Sequence, residues 1–399
     1  MSRERFDLLT LQEAMDILGV SRATIDRWRK EKQLPYIKIG KEVWVNKQKL
    51  HDWVQLHALK EPEEKGPRET ADRRTVTVGY QSGAALLWST LIMKQLGLFE
   101  QELERISPAT EYEVRWTNAS NGMELVEELI SGRAQIVSVG DYPISASREL
   151  GLLLPRFRPL MLAFDGKTRS GGGISLVVPP GSRVRKPEEL AEVSISTVGH
   201  SSASYRLKEY MGVFGFDSAP ITHRSMGDCL SGLVEGSTGA AVLWEPYLSW
   251  AQLLGAGAPI VSAGIGEDYL TGLMTDGNWA EGNEDIVIAY LKAHLRAHAF
   301  IRRQPERAAV LVHQASGFPV SVISLVLPQI RWDASFYSRD LQTLNRVSGR
   351  RERELQGGTA VGTGVAFQKR YLQEAAEALK LPILPDAPLP GEWSQEQIY

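Results

Sequence analysis

Apolar positions in the first fifty residues recur at helical spacing, then alternate, then return to helical spacing. Leu9, Leu11, Ala14, Met15 and Leu18 form one helical stripe that stops at Gly19, a residue suited to the left-handed turn that ends a helix. Ser21 is placed to cap a second helix, with Ile25 and Trp28 inward and Arg22, Thr24, Arg27, Arg29 and Lys30 on the remaining surface. Leu34-Pro35 breaks that helix. Tyr36 to Val45 then alternates around Gly40 like a short hairpin, and Asn46 caps a third helix carrying Leu50, Trp53 and Leu56. Helix, glycine turn, basic helix and hairpin form a winged helix-turn-helix pattern. Trp28 and Trp53 fall on apolar stripes and read as core, whereas Trp44 at the wing tip suits either core packing or base stacking.

Beyond residue 60 the pattern changes. Lys60 to Arg74 carries two prolines, a glycine and many charges without a large apolar residue, which predicts a linker. Short alternating or apolar runs at Val76–Tyr80, Glu113–Thr117 and Gln135–Val139 predict strands. Between them lie helical stretches, one through Leu86, Leu87, Ile92 and Met93 to Gly97 and one from Met123 to Ser131. After Gly171-Gly172-Gly173, which reads as a hinge, the alternation restarts: strands at Gly173–Val178, Val193–Thr197 and Ala240–Leu243, and a turn into helix at Gly199–Tyr205. Strands alternating with helices predict α/β layers with ligands at the strand carboxyl ends. Two such lobes, with the chain returning near Ile265 to Gly272, describe a clamshell. Leu381 to Pro390 is too proline-dense for a helix and is expected to run extended along the surface. No internal repeat is visible.

The fold class that follows is multidomain: a small α(+β) winged helix-turn-helix and a two-lobed α/β clamshell. Expected boundaries are 1–58 for the DNA-binding module, 59–75 for the linker and 76–380 for the effector domain, with 381–399 as an extended tail. Lobe I would span about 76–170 and 268–380, and lobe II about 171–267.

Charge sharpens this division. The first 60 residues hold 12 Lys+Arg against 8 Asp+Glu, a balance of +4, while the remainder holds 33 against 40, or −7. A basic module on an acidic body points to nucleic acid at one end only. The single cysteine, Cys229, excludes an internal disulfide and a thiolate-rich zinc site, and reads as a small buried residue rather than a reactive thiol. The N-terminus has no apolar segment with a small-residue cleavage site, and nowhere does the chain hold an apolar run long enough to span a membrane. A cytoplasmic protein is expected.

Leu11-Gln-Glu-Ala-Met-Asp-Ile-Leu-Gly-Val-Ser-Arg-Ala-Thr-Ile-Asp-Arg-Trp-Arg-Lys30, followed by Leu34-Pro35 and Ile37-Lys-Ile-Gly40, resembles the excisionase and MerR-like winged helix-turn-helix family over about residues 7 to 57. The resemblance implies that the helix Ser21 to Lys30 enters the major groove. Arg22, Thr24 and Arg27 would lie nearest base edges, and Arg29, Lys30, Lys38 and Lys41 would meet phosphates. Glu42 in the wing departs from the basic residues common there.

A second resemblance rests on Val78-Gly-Tyr-Gln81, Leu96-Gly-Leu-Phe99, Gly140-Asp-Tyr-Pro143, Val177-Val-Pro-Pro-Gly-Ser182, Ser201-Ser-Ala-Ser-Tyr205 and Trp244-Glu-Pro-Tyr247. In order and spacing these are similar to the substrate-binding proteins of nitrate, taurine and alkanesulfonate ABC transporters, of the periplasmic-binding-protein type 2 fold. That likeness implies a small solute held between lobes by hinge closure. Carried over by position, the ligand would meet Tyr80, Gln81 and Ser82 in the first loop and Asp141 and Tyr142 in the second. Ser201, Ser202, Ser204 and Tyr205 would line the third, and Trp244 and Glu245 the fourth. Serine hydroxyls and free N–H groups at a helix N-terminus suit a sulfonate, nitrate or carboxylate. Asp141 and Glu245 equally suit loop bracing, and the aromatics can be plugs.

Transporter subunits of that family carry an export signal or lipid anchor where this chain has a DNA-binding module. The expectation is therefore a homodimeric one-component transcription regulator that senses a small effector, with an aliphatic sulfonate as the leading class, and binds operator DNA. Enzymes of the same fold class exist, but no nucleophile, base and orienter constellation or metal-ligand spacing is visible, the seven histidines being scattered. Neither a phosphate-binding glycine loop nor a dinucleotide fingerprint follows the first strand, so no cofactor and no metal is expected.

Overall fold

The computed structural model describes residues 8–18, 22, 25, 34–39, 42–47, 49–50, 73–106, 110–262, 264–356 and 366–399, and of residues 349–356 the backbone only. The chain divides into two units, Met1–Thr70 and Ala71–Tyr399.

In the first unit, β1 (Leu8–Thr10), α1 (Leu11–Leu18), β2 (Ile37–Ile39) and β3 (Glu42–Asn46) are described. The strands form an antiparallel sheet in the order β1-β3-β2, with Ile37 opposite Trp44 in the hairpin. Leu9 belongs to β1, so the first helix starts later than its apolar spacing predicts. The cause is local: the Thr10 N–H donates to Glu13 Oε2 at 2.7 Å and Thr10 Oγ1 accepts from the Glu13 N–H at 3.2 Å. That reciprocal cap fixes the helix start at Leu11. Asn46 Oδ1 accepts from the Lys49 N–H at 3.0 Å, a cap on the helical residues that follow. Leu11, Ala14, Ile25, Leu34, Val45 and Leu50 bury one another in a core of their own.

In the second unit, β4 (Arg73–Tyr80), α2 (Ser89–Leu96), α3 (Leu98–Ile106), β5 (Glu111–Asn118), α4 (Gly122–Ile130), β6 (Ile136–Gly140), α5 (Asp141–Leu153) and β7 (Pro159–Thr168) open the first lobe. A second lobe contains β8 (Ile174–Val178), β9 (Ile195–Thr197), α6 (Ser202–Phe214), β10 (Ile221–His223), α7 (Met226–Val234), β11 (Ala240–Trp244), α8 (Tyr247–Leu253) and β12 (Ala258–Pro259). The chain then returns through β13 (Tyr269–Asp276), α9 (Gly277–Glu281), α10 (Glu284–Arg303), α11 (Pro305–Ser316), α12 (Val320–Val326), β14 (Arg331–Trp332), α13 (Ser338–Gln356) and α14 (Lys369–Ala378). The sheet of lobe I has the order β14-β7-β13-β6-β4-β5, and that of lobe II β10-β9-β11-β8-β12. This is the two-lobed α/β architecture that the alternating pattern predicts.

Two crossings join the lobes, one from β7 to β8 and one from β12 to β13, and they lie against each other. The Gly171 N–H donates to the Glu267 carbonyl at 2.6 Å, and a Cβ on Gly264 would stand 2.1 Å from the Gly171 carbonyl oxygen. Gly171 and Gly264 also hold φ of +74° and +91°, so both steric space and backbone conformation require glycine here.

Two expectations need correction. The strand β4 begins at Arg73, inside the segment expected to be linker, because Arg73 and Arg74 continue the parallel ladder opposite Glu111 and Tyr112. Arg73 also pairs with Glu113 at 3.2 Å. The C-terminal tail, though irregular, does not merely run along the surface. Trp393 and Tyr399 are buried in the main core, the Trp393 indole N–H donates to Asp340 Oδ1 at 2.6 Å, and Tyr399 donates its hydroxyl to the Pro382 carbonyl. Proline excludes helix there, but two large aromatic rings gain more from burial than the segment loses by being ordered.

Candidate functional site

Of the residues expected at DNA, Arg22 is helical and exposed, and Lys38 has its backbone in β2 of the hairpin. Ser21, Thr24, Arg27, Arg29, Lys30 and Lys41 lie outside the described residues, as do Trp28 and Trp53.

Between the lobes of the body, the structure gathers most of the residues expected at a ligand. The fully buried strand β6 delivers Asp141 and Tyr142 to the start of α5, so the Gly140–Pro143 segment is a helix start rather than an open loop. Facing it is the start of α6 with Ser201, Ser202, Ser204 and Tyr205. The lobes touch here: a Cβ on Gly140 would lie 2.7 Å from Ser202 Oγ, and the Tyr142 N–H donates to Ser202 Oγ at 3.4 Å. The rings of Tyr142 and Tyr205 stand 6.2 Å apart.

Sequence reasoning missed the residue at the centre of this contact. Arg206 of α6 donates to Asp141 through both terminal nitrogens, Nη2 to Oδ2 at 2.6 Å and Nη1 to Oδ1 at 3.2 Å, with both side chains buried. Nη2 also donates to the Asp268 carbonyl at the returning crossing, and the guanidinium lies 4.9 Å from the centre of the Tyr269 ring. Burial opposes the charged form of Arg206, yet the charge and hydrogen bonds of Asp141 outweigh it and hold the guanidinium above its ordinary pKa. Burial, and then Asp141, push the Tyr269 phenol upward. Arg206 follows the serine motif by one residue on a helix whose apolar positions drew attention to packing, and only the fold aims it across the cleft.

The serines are largely spent on their own helix. Ser201 Oγ accepts from the Ser204 N–H at 3.2 Å while the Ser201 N–H donates to Ser204 Oγ at 3.0 Å, a capping box that satisfies two of the free groups at this N-terminus. Ser202 alone of the three turns its hydroxyl to the opposite lobe.

A second group closes the other side of the contact. Trp244 at the end of β11 donates its indole N–H to the Gly83 carbonyl at 2.8 Å, and the Ala85 N–H donates to the Glu245 carbonyl at 2.9 Å. Both bonds run from lobe II to the loop after β4. Glu245 itself braces α8: its carboxylate accepts from the Ser249 N–H at 3.1 Å and hydroxyl at 2.9 Å. Burial pushes its carboxyl above the usual range, with those two bonds pulling it back. Gln81 is buried beside Gly122 and Pro143. Tyr80 and Ser82 are held within lobe I, the first by Lys94 and Trp116 and the second by Asn118.

A separate polar cluster lies inside lobe I. Asp165 on β7 accepts from the Ser89 hydroxyl at 2.8 Å and stands 3.0 Å from His298 Nε2, and His294 and His298 sit one turn apart on α10. All four side chains are fully buried. Burial raises Asp165 to about 6, against the pull of His294 and Ser89. Burial first, then His298 for His294 and Arg302 for His298, lower both imidazoles to about 3. Asp165 and His298 are 133 residues apart in the chain, which hid the cluster. The His-x-x-x-His spacing was the one legible trace of it.

Residues 8–55 match the helix-turn-helix domain family. The body is 24% identical over 258 residues to a protein of Bacillus subtilis (strain 168) named for aliphatic sulfonate binding, spanning 64% of this chain and 73% of the relative. Its fold matches the alkanesulfonate-binding protein SsuA of Xanthomonas axonopodis pv. citri, solved with MOPS bound, with a TM-score of 0.59 and 17% identity over 72% of this chain and 96% of that one. The chain joins a helix-turn-helix domain to a sulfonate-binding-protein fold. That fold also serves the desulfurization enzyme DszB, which matches with a TM-score of 0.56 and 13% identity over 77% of this chain and all of the enzyme's. Among the described residues, no helix of this fusion is long and apolar enough to cross a membrane.

Proposed function

We propose that the chain is a one-component transcription regulator, acting in the cytoplasm as a homodimer, whose two-lobed body senses a small solute and alters the grip of the helix-turn-helix on operator DNA. One observation carries this reading: a helix-turn-helix domain and a fold shared with solute-binding proteins occupy the same chain. The leading effector class is an aliphatic sulfonate, supported by the relatives and by a cleft that offers a buried guanidinium, Arg206, beside the N-terminus of α6. An anion reaching Arg206 competes with Asp141, so it is bound by shifting the contact between lobes. Such a ligand changes DNA affinity only to the extent that it favours one arrangement of the body over another. Two half-sites supply affinity that a module of this size lacks alone. Arg22, Thr24 and Arg27 would read bases, while Ser21, Arg29, Lys30, Lys38 and Lys41 would hold the backbone.

The test is an electrophoretic mobility assay of the full chain against DNA upstream of its own coding region, with and without ethanesulfonate, butanesulfonate and taurine. Specific retardation that moves with one of these supports the regulator. Absence of any retardation in every condition defeats it and leaves the reading its relatives favour, a solute-binding subunit of a transporter. Bound sulfonate recovered unchanged after incubation separates either from an enzyme.

A further inference from the structure

The buried cluster in lobe I has more lone pairs than protons. His294 Nε2 lies 3.0 Å from the Phe164 carbonyl, which can only accept, so the single proton of this neutral imidazole is on Nε2. Its Nδ1 is therefore a bare lone pair, and it faces Ser89 Oγ at 3.4 Å. The Ser89 proton is already committed to Asp165 Oδ2. The His298 Nε2 proton serves Asp165 Oδ1, and the other nitrogen, Nδ1, is buried without a hydrogen bond. Hydroxyl, carboxylate and two imidazoles thus converge out of reach of water, with one buried ring nitrogen, His298 Nδ1, left unmet.

We infer that Asp165, His294 and His298 form a site for a divalent first-row transition metal of the zinc class. One ligand atom from each of these residues can be chosen so that all lie within 4.8 Å of one another, close enough to converge on one ion. Two imidazoles with one carboxylate suit zinc or cobalt rather than magnesium or calcium, which take oxygen. The Phe164 carbonyl holds His294 in the tautomer that points Nδ1 inward, the role an outer partner plays around a metal-bound imidazole. His298 joins through Nε2 by moving its proton to Nδ1, the nitrogen that is buried without a hydrogen bond. The neighbouring cations do not hold the place: Lys167 is paired with Asp340 at 2.6 Å, and Arg302 donates to the Trp332 and Tyr399 carbonyls. Since the four side chains are fully buried, the ion enters as the chain folds. The site ties β7, which leads to the crossing between lobes, to α10, and it is independent of the regulator reading.

The test loads the full chain by refolding it from denaturant with zinc, with cobalt or with a chelator, followed by gel filtration in chelator. Wild-type protein is expected to retain metal stoichiometrically, to show the intense visible bands of low-coordinate cobalt, and to unfold at a higher denaturant midpoint when refolded with zinc. Asp165→Asn and His298→Gln are expected to lose the retained metal and the cobalt bands. Retention by wild type no greater than by these variants overturns the site. Should the variants not fold, equal wild-type midpoints and no retained metal after zinc and chelator refolding overturn it equally.

Discussion

Arg206 and Asp141 show how one pair can decide the state of a cleft. Each is buried, each is the other's counter-ion, and removing one leaves a charge in a place poor in water. Arg206→Met is expected to lower the free energy of unfolding by about 3–5 kcal/mol, the range seen when one partner of a buried pair is removed. Urea unfolding followed by tryptophan fluorescence reads this directly. Glu245 gives a pH prediction of definite sign. Its folded pKa is raised above the ordinary 4.5, so the folded protein holds this proton to higher pH than the unfolded chain does. The contribution to stability is complete below the unfolded value and is lost as pH rises through the folded one. Glu245→Gln should therefore gain on the wild type as pH rises above 4.5, and parallel stability curves for the two proteins would refute it.

At the scale of elements, α6 shows a motif serving its own helix before any ligand. The serines of this segment look like an anion cradle in the sequence, yet Ser201 and Ser204 close a capping box. Ser201 also donates its hydroxyl to the Val198 carbonyl at 2.7 Å. Ser201→Ala is expected to cost about 0.5–2 kcal/mol of stability, as loss of a cap does. Ser202→Ala should cost less stability and change solute affinity more, a contrast that paired melting and titration measurements can check. The strand β6, buried throughout, and the helix α4 lie where the strand Gln135–Val139 and the helix Met123–Ser131 are expected, and Asn121 caps the latter. The break in the helical stretch after β4 was not legible. A short 3-10 turn at Ala85–Leu87 precedes α2, and the Ala85 N–H, free at its start, donates to the Glu245 carbonyl of the other lobe. A partner 160 residues away in sequence leaves no periodic trace nearby.

For the molecule as a whole, closure depends on how near the two lobes can come, and Gly140 stands at one of their contacts. Its φ of −76° suits any residue, so Gly140→Ala acts through space alone, placing a methyl group against Ser202 of the opposite lobe. The variant is expected to hold the body more open, with a larger radius of gyration by small-angle X-ray scattering and weaker binding of any solute that favours closure. An unchanged radius in both proteins would show that this contact does not limit closure. The amino-acid sequence by itself determined several strands and helices of each lobe, the two-lobed α/β plan and the helix-turn-helix ahead of it. Those features follow from apolar period, capping residues and glycine or proline, all of which act over a few neighbours. It did not reveal Arg206, the Asp165–His294–His298 cluster or the buried ends of the C-terminal tail. Each depends on bringing together charges or rings that lie far apart along the chain. Desolvation gives such groups their importance, and only the tertiary structure determines which of them share a place without water.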